Sequence, residues 1–308
     1  MTIYQKRVGE VPAAPPHAVV ALGVFDGVHC GHTALLTHAR ELAREKELPL
    51  VVLTFADTPK TEKLLCSLTA RRELLFSAGA DFVAVYEFSE LSALSPSAFV
   101  SRVLCGVFGA RYAVCGTDFR FGKDRAGDAE MLAALFAPQT VVAISPVCSR
   151  DGVPISSTRI RDALAAGDLV TAEALLGRPY FLSGKVIHGR GFGHALCAPT
   201  ANLAIPANIA LPRDGVYVTS ARVENLWWTP SVTNLGKNPT VVTDGMRTCE
   251  THLLWENTDI YDEVLTVEFR ARIRAEQTFA SAEELRTQIA ADIETARAWF
   301  TAHPEALF

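Results

Sequence analysis

Several absences narrow what this chain can be. It has no excess of positive charge: 34 acidic against 29 basic residues among 308 leave a formal net charge of -5. A general electrostatic grip on DNA or RNA needs a basic face, so no nucleic-acid partner is expected. No two of the seven cysteines (Cys30, Cys66, Cys105, Cys115, Cys148, Cys197 and Cys249) have C-x-x-C spacing, and their number is odd. That speaks against a disulfide scaffold or a zinc ribbon and for a reducing cytoplasm. The N-terminal stretch carries Lys6, Arg7 and Glu10 and leads into no apolar core, so no secretory signal is expected. One charge-free run, residues 131–149, has a span-like length. It contains Pro138, Gln139, Thr140 and Pro146, which read as a helix end, a turn and a strand, so no membrane partner is expected. Internal repeats, low-complexity segments and the phosphate-loop pattern G-x-x-x-x-G-K-[ST] are all missing.

What is present is apolar and regularly patterned. Hydrophobic residues make up 49% and charged residues 20%, enough to build packed cores. At about 150 residues per domain the length fits two domains. In the first half, short apolar strands at 18–24, 48–55, 82–86, 111–115 and 141–147 alternate with helical segments at 33–46, 71–77, 95–107 and 128–136. Two short helices follow, at 156–164 and 169–176. Strands separated by helix-length segments predict a parallel, doubly wound α/β sheet. Gly177-Arg178-Pro179 ends that pattern. Short β-rich runs at 180–188, 215–223, 230–235, 250–254 and 264–272, divided by Gly, Pro, Asn and Asp, predict a small antiparallel β-barrel. A terminal helix over 281–300 opens with Ser281 and Glu284, the spacing of a capping box. Domains are therefore expected at 1–179 and 180–308.

In the first half, His29 and His32 open a helix after a strand, three residues apart and so on one face. Gly23, Gly27 and Gly31 lie in the same turn, and a helix N-terminus attracts phosphate. Taken alone, the pair fits equally a helix-opening turn or a weak metal pair. The run Gly23-Val24-Phe25-Asp26-Gly27-Val28-His29-Cys30-Gly31-His32 resembles the H-x-G-H signature of the nucleotidyltransferase superfamily, in the form of prokaryotic FAD synthetases. Ile155-Ser156-Ser157-Thr158-Arg159-Ile160-Arg161 resembles a second signature of that superfamily. Gly116-Thr117-Asp118-Phe119-Arg120-Phe121-Gly122 is similar to its nucleotide and flavin segment.

In the second half, Gly184-Lys185-Val186-Ile187-His188-Gly189 leads through a glycine-rich loop to Pro199-Thr200-Ala201-Asn202. Taken alone, P-T-A-N is a polar turn. It resembles the metal and nucleotide motif of riboflavin kinases. Four further segments follow in the family's order: Asp214-Gly215-Val216-Tyr217, Asn234-Leu235-Gly236-Lys237-Asn238-Pro239-Thr240, Glu250-Thr251-His252, and Arg274-Ala275-Glu276-Gln277-Thr278-Phe279.

The resemblance, over roughly residues 18–300, is to bifunctional riboflavin kinase/FMN adenylyltransferases. It implies a cytoplasmic enzyme that phosphorylates riboflavin with ATP to FMN and adenylylates FMN with ATP to FAD, with Mg²⁺ as the metal. His29 and His32 are implied as catalytic residues of the transferase, and Glu250 as the base of the kinase. Nucleotide contacts are implied for Gly23, Phe25, Asp26, Gly27, Ser156, Ser157, Thr158, Arg161, Gly184, Lys185, His188 and Gly189. Flavin contacts fall to Asp118, Phe119, Phe121 and Arg274, and metal contacts to Thr200 and Asn202. The implied partners are riboflavin, FMN, FAD and ATP, and the oligomeric state is left open. The chemistry suits these residue types. A phosphomonoester is already close to a dianion at neutral pH and needs no base, only charge stabilisation and placement. A ribityl alcohol is not ionised and does need a base. Two rivals stand beside this reading: a chain that keeps only adenylyl transfer, and a non-catalytic flavin binder on the same scaffold.

Three departures from the family pattern are visible. The usual T-F-x-P-H-P reads Thr54-Phe55-Ala56-Asp57-Thr58-Pro59. The kinase loop reads Gly193-His194-Ala195-Leu196-Cys197-Ala198-Pro199, with an Arg and a Gly replaced. The usual L-Y-G reads Ile260-Tyr261-Asp262. None removes an implied metal ligand or base.

Overall fold

The computed structural model describes residues 1–5, 15, 17–57, 63–145, 147, 151–188, 200–223, 226–237, 247–254 and 260–307. Gly189, the loop residues 193–199 with His194, the segment 238–240 and the pair Thr58-Pro59 lie outside them. The chain packs as two compact units: residues 1–64 with 68–157, and residues 65–67 with 158–308.

The first unit is a six-stranded sheet with helices on both faces. Its elements are β1 (Thr2–Gln5), β2 (Val19–Leu22), α1 (Cys30–Glu45), β3 (Leu50–Phe55), α2 (Leu68–Ser77), β4 (Phe82–Tyr86), α3 (Phe88–Ser92), α4 (Pro96–Ala98), β5 (Tyr112–Gly116), α5 (Ala129–Phe136) and β6 (Thr140–Ile144). The strand order is β1-β4-β3-β2-β5-β6. Strands β2 to β6 pair in parallel, and β1 adds antiparallel to β4. β2 reads Val-Val-Ala-Leu because both its faces are covered. Val20 and Leu22 pack with Leu104, Phe108 and Phe136 on one side. Val19 and Ala21 pack with Leu36, Ala39 and Leu75 on the other.

Among the features that depart from the periodicity are the unexpected α3, the edge strand β1 and the helix after Ser95. β1 is too short to stand out from a polar N-terminal stretch. The helix expected over 95–107 is α-helical only through α4 and continues from Phe99 to Val107 as a π-helix.

In the second unit, α6 (Ser157–Ala166) and α7 (Leu169–Leu176) precede a closed barrel. Its strands are β7 (Tyr180–Ile187), β8 (Ala201–Ala204), β9 (Gly215–Val223), β10 (Thr229–Lys237), β11 (Arg247–Leu253) and β12 (Val264–Arg274). They close in the order β10-β11-β8-β7-β12-β9, every neighbouring pair antiparallel. β8 is a strand where the sequence in isolation gave a turn. Its alternation is short but real: Ala201 and Leu203 are buried, while Asn202 and Ala204 face outward.

The closing helix α8 (Ala282–Ala302) is capped by Ser281, whose hydroxyl accepts the Glu284 N–H at 3.2 Å. The Glu284 carboxylate reaches back to the Ala280 N–H, one residue beyond the cap, at 3.0 Å. Ala296 and Phe300 of α8 lie on Val216, Val218 and Val232, on the outer face of the barrel. The inward face carries a fully buried hydroxyl chain. Thr219 bonds Ser231 at 2.7 Å and Thr233 at 2.8 Å, and Thr233 bonds Thr251 at 2.9 Å. Every hydroxyl in it has a partner, so the polar interior carries no desolvation penalty of the unsatisfied kind.

Candidate active sites

The sheet of the first unit reverses direction at β2. From there the chain runs to β3 and β4 on one side and later to β5 and β6 on the other. The crevice outside the carboxyl ends of β2 and β5 is therefore the switch point where a doubly wound sheet binds its ligand. Two of the three first-half motifs leave the sheet there: residues 23–32 after β2, and residues 116–122 after β5.

The 23–32 turn is tightly held. Phe25 (φ 54°), Gly27 (φ 77°) and Val28 (φ 40°) all adopt left-handed backbone, which is strained for Phe and more so for a β-branched Val. The carbonyl of Val24 accepts from Thr54 Oγ1 at 2.7 Å and from Arg71 Nη1 at 3.4 Å. Ser157 Oγ donates to the carbonyl of Asp26 at 3.0 Å. Gly23 stays a glycine because a Cβ there would stand 2.9 Å from the Phe25 ring.

α1 starts at Cys30, three residues before the periodicity placed it, because His29 itself is the N-cap. Its Nδ1 accepts the backbone N–H of His32 at 3.3 Å, the role usually played by Ser, Thr, Asp or Asn. A neutral His29 therefore carries its proton on Nε2. The two imidazoles stack at 3.6 Å, with 16° between their planes. Phe25 meets His32 edge-on at 5.2 Å. The Nδ1 of His32 is shielded from solvent and has no hydrogen-bond partner among the described residues. Burial, then His29, then Arg71 hold the His32 pKa well below 6.5, so its ring is neutral at neutral pH.

Other implied contacts of this half have their own surroundings. Phe119 and Phe121 stack at 5.6 Å. Phe121 is buried against Phe99, and its backbone pairs with that of Gly127. The Asp118 carboxylate stands 2.6 Å from where a Cβ on Gly116 would be. Thr158 and Arg161 lie on α6, with Arg161 Nη2 donating to Thr158 Oγ1 at 3.2 Å.

In the barrel, Asn202 of β8, Glu250 of β11 and Asn234 of β10 stand in cross-strand register. The row continues to Val216 under α8, so it lies on the outer face of the barrel. Thr200 immediately precedes β8 and is half-buried. Burial, and then the charge of Glu276, push the Glu250 carboxyl above its ordinary range. The Glu276 carboxylate rests against Gly236, where any Cβ would collide with it.

Gly184 is a close-approach glycine, since a Cβ there would meet the backbone of Ala204 in β8. Lys185 Nζ pairs with Asp262 Oδ1 at 2.8 Å, and His188 stacks on Tyr261 at 3.8 Å. Asp262 has φ 67°, so this position needs the left-handed backbone that the family's glycine supplies. Asp is among the few other residues that tolerate it. Arg274, implied as a flavin contact, makes a bidentate ion pair with the buried Asp292 of α8 at 2.7–3.1 Å. Gln288 donates to the same carboxylate at 2.9 Å.

Sequence reasoning did not single out Arg71, Glu276 or Asp292. For Arg71 a signal existed: it lies four residues before Leu75, on the buried stripe of α2 with Ala70.

Among the described residues there is no group of three or more His, Cys, Asp or Glu able to hold a metal by itself. No helix among them is long and apolar enough to cross a membrane.

A switch-point crevice with a histidine-capped helix, and a closed barrel with a raised carboxyl beside amide and hydroxyl side chains, define a two-site nucleotide-using transferase. The FAD synthetase family model matches residues 11–159, and the riboflavin kinase family model matches residues 176–300. A bifunctional riboflavin kinase/FMN adenylyltransferase of Pseudomonas fluorescens is 40% identical over 295 residues, covering 92% of this chain and 94% of its own. The Escherichia coli K12 protein described in the same words is 38% identical over 293 residues, with 92% of each chain covered. The chain also resembles a Streptococcus pneumoniae crystal structure described as a macrolide-efflux protein. That match has a TM-score of 0.81 and 32% identity, over 96% of this chain and 97% of the other. The chain belongs to the bifunctional riboflavin kinase/FMN adenylyltransferase family.

Proposed function

We infer that the chain makes FMN and then FAD: ATP phosphorylates riboflavin at the barrel, and ATP adenylylates FMN at the doubly wound sheet, releasing pyrophosphate. The observation that carries this is the pair of family matches, which fall on consecutive parts of one chain and together span nearly all of it. A domain division at 179/180 would keep each set of motifs with its own reaction, whereas the compact units part at 157/158. The cysteine spacing supports a cytoplasmic setting.

At the first site the FMN phosphate attacks the α-phosphorus of ATP. The nucleophile needs no base, so the side chains supply placement and donors. His29, with its proton on Nε2, donates to a phosphate oxygen. His32 donates beside it, and the first turn of α1 adds the positive end of its dipole. Ser156, Ser157, Thr158 and Arg161 contribute hydroxyls and a guanidinium to the triphosphate. Asp118, Phe119 and Phe121 border the flavin.

At the second site Glu250 takes the proton of the ribityl alcohol as the alcohol oxygen attacks the γ-phosphorus of ATP, the bond to the β,γ-bridging oxygen breaks and ADP leaves. Its raised pKa makes it a better proton acceptor than an exposed carboxylate, while it remains able to ionise. Asn202 stands in register with Glu250 and Thr200 immediately precedes β8, and their hard oxygen donors would suit Mg²⁺. When bound there, Mg²⁺ offsets the charge of the phosphates. Lys185 and His188 serve the nucleotide, and Arg274 holds the flavin-side end of β12 in place.

The test uses two variants of the full chain. Glu250→Gln should lose riboflavin phosphorylation and keep FMN-to-FAD conversion, and His32→Ala should do the reverse. Chromatography of products from riboflavin, ATP and Mg²⁺ separates them. A parental rate of FMN formation by Glu250→Gln would remove Glu250 as the base.

A further inference from the structure

We propose that Arg71 is a positioning residue of the adenylyl-transfer site: its guanidinium pins the 24–28 turn to the ends of two strands and so fixes where the His29–His32 pair stands. The proposal rests on reading that pair as the transferase histidines.

Arg71 is 1% exposed and heads the fully buried side chains by volume. A buried guanidinium ordinarily has a full set of partners. This one does not. Nη1 donates to the carbonyl of Phe55 at 2.7 Å and to that of Val24 at 3.4 Å, while Nη2 stands 4.0 Å from Asp26 Oδ1. Nε and Nη2 make no hydrogen bond among the described residues. For stability alone, an apolar side chain of similar size serves such a site as well or better. The charge therefore has another use, and its surroundings indicate which.

Among the described residues, the polar atoms Arg71 reaches lie at the carboxyl ends of β2 and β3 and in the turn between β2 and α1. Phe55 ends β3, Val24 follows β2, and the Asp26 carboxylate, itself 3% exposed, belongs to the turn. That turn holds Phe25 and Val28 in left-handed backbone. Such strain persists only where the surroundings over-determine it. Arg71 and Thr54 together clamp the Val24 carbonyl at the point where the turn begins. His29 and His32 follow directly.

The same guanidinium acts on the charge of the site. The groups that bear on His32 are His29 from its own helix and Arg71 from α2, with Asp26 facing Arg71 from the turn. Burial first, then His29, and then this cation keep a proton off His32, so an arriving triphosphate meets a neutral donor.

The experiment compares Arg71→Met and Arg71→Lys in the full chain, with far-UV circular dichroism and the chemical-shift dispersion of the first unit's NMR signals as the check on folding. In Arg71→Met the kcat of FMN-to-FAD conversion should fall by about 10- to 100-fold, with a smaller change in KM for ATP, as expected of misplaced groups. The NMR titration midpoint of the His32 ring should move up. Arg71→Lys keeps the charge without the fork, so the midpoint should stay and kcat should fall less. A folded Arg71→Met with parental kcat overturns the proposal, as does a loss of kcat with the His32 midpoint unmoved, which would mark simple packing. If Arg71→Met does not fold, Arg71→Lys decides alone, and a parental kcat there overturns the proposal. His32→Ala, run alongside, separates this from failure of the underlying reading, because normal FAD output from it removes the pair from the chemistry whatever Arg71 does.

Discussion

The Nδ1 atom of His29 accepts the backbone N–H of His32, so one imidazole both caps α1 and has its tautomer set by that cap. The two roles can be separated, because an amide can accept the same bond without an imidazole's donor.

His29→Asn should keep the cap and the melting temperature, since Asn is among the best N-cap residues. It should lower FMN adenylylation by about 100-fold, the scale of losing one transition-state donor. His29→Ala should lose both, with about 1 kcal/mol of stability gone with the cap. Melting curves and FAD formation rates distinguish the two. An equal loss of stability in both variants would count against the cap.

His32 makes stability pH-dependent. In the unfolded chain its ring takes a proton near pH 6.5, and in the folded unit it resists doing so. Between those two values the unfolded state binds more protons. Stability is therefore fully present above the unfolded value and is lost as the pH falls below it, by at most about 1.4 kcal/mol per pH unit. His32→Gln, which does not titrate, should lose less melting temperature than the parent between about pH 7.5 and about pH 5.5. Parallel curves would show that the buried ring does not carry the effect.

Glu276 tunes the kinase base. Its negative charge disfavours ionisation of Glu250, adding to burial. Glu276→Gln should let Glu250 ionise more readily and move the acid limb of riboflavin phosphorylation to lower pH, with FMN adenylylation unchanged. A limb that stays in place, or moves to higher pH, would remove Glu276 from the site's electrostatics.

The left-handed backbone at Asp262 explains a departure that sequence comparison could only note. Asp262→Gly should leave the barrel as stable or raise its melting point, because the lost pair with Lys185 is exposed and contributes little. Asp262→Val, which disfavours that conformation, should lower the melting point by a few degrees. Thermal denaturation decides between a backbone requirement and an electrostatic one.

Much of this was legible in the chain. The β2–α1 turn, the strand alternation and the cap of α8 follow from local pattern, and both architectures follow with them. The start of α1 did not, because histidine is not a residue one expects as a cap. Arg71 and Arg72 are adjacent and chemically identical, yet the first lies under the turn while the second stacks at 3.8 Å over the Tyr4 ring of β1. The buried stripe of α2 turns Arg71 inward, but only tertiary packing sets which atoms each of them meets. Arg274 belonged to a segment with a recognisable pattern, but its partner Asp292 sits on another element, with no local signal tying the two together. Glu276 was inside that segment and gained meaning only when Gly236 brought its carboxylate down onto β10.

The barrel's strand order has a consequence for the nascent chain. β7 pairs on one side with β12, whose Val264 stands opposite Lys185 and whose Phe269 stands opposite Tyr180. The first strand of the barrel must therefore wait until roughly 80 further residues have been synthesised, on the order of 4–16 s at about 5–20 residues per second. For that interval β7 has an unpaired edge, whereas β2, β3 and β4 of the parallel sheet already have one another. Truncation within β12 would make the delay permanent, and the ribosome would release a chain with its transferase sheet assembled and its barrel open.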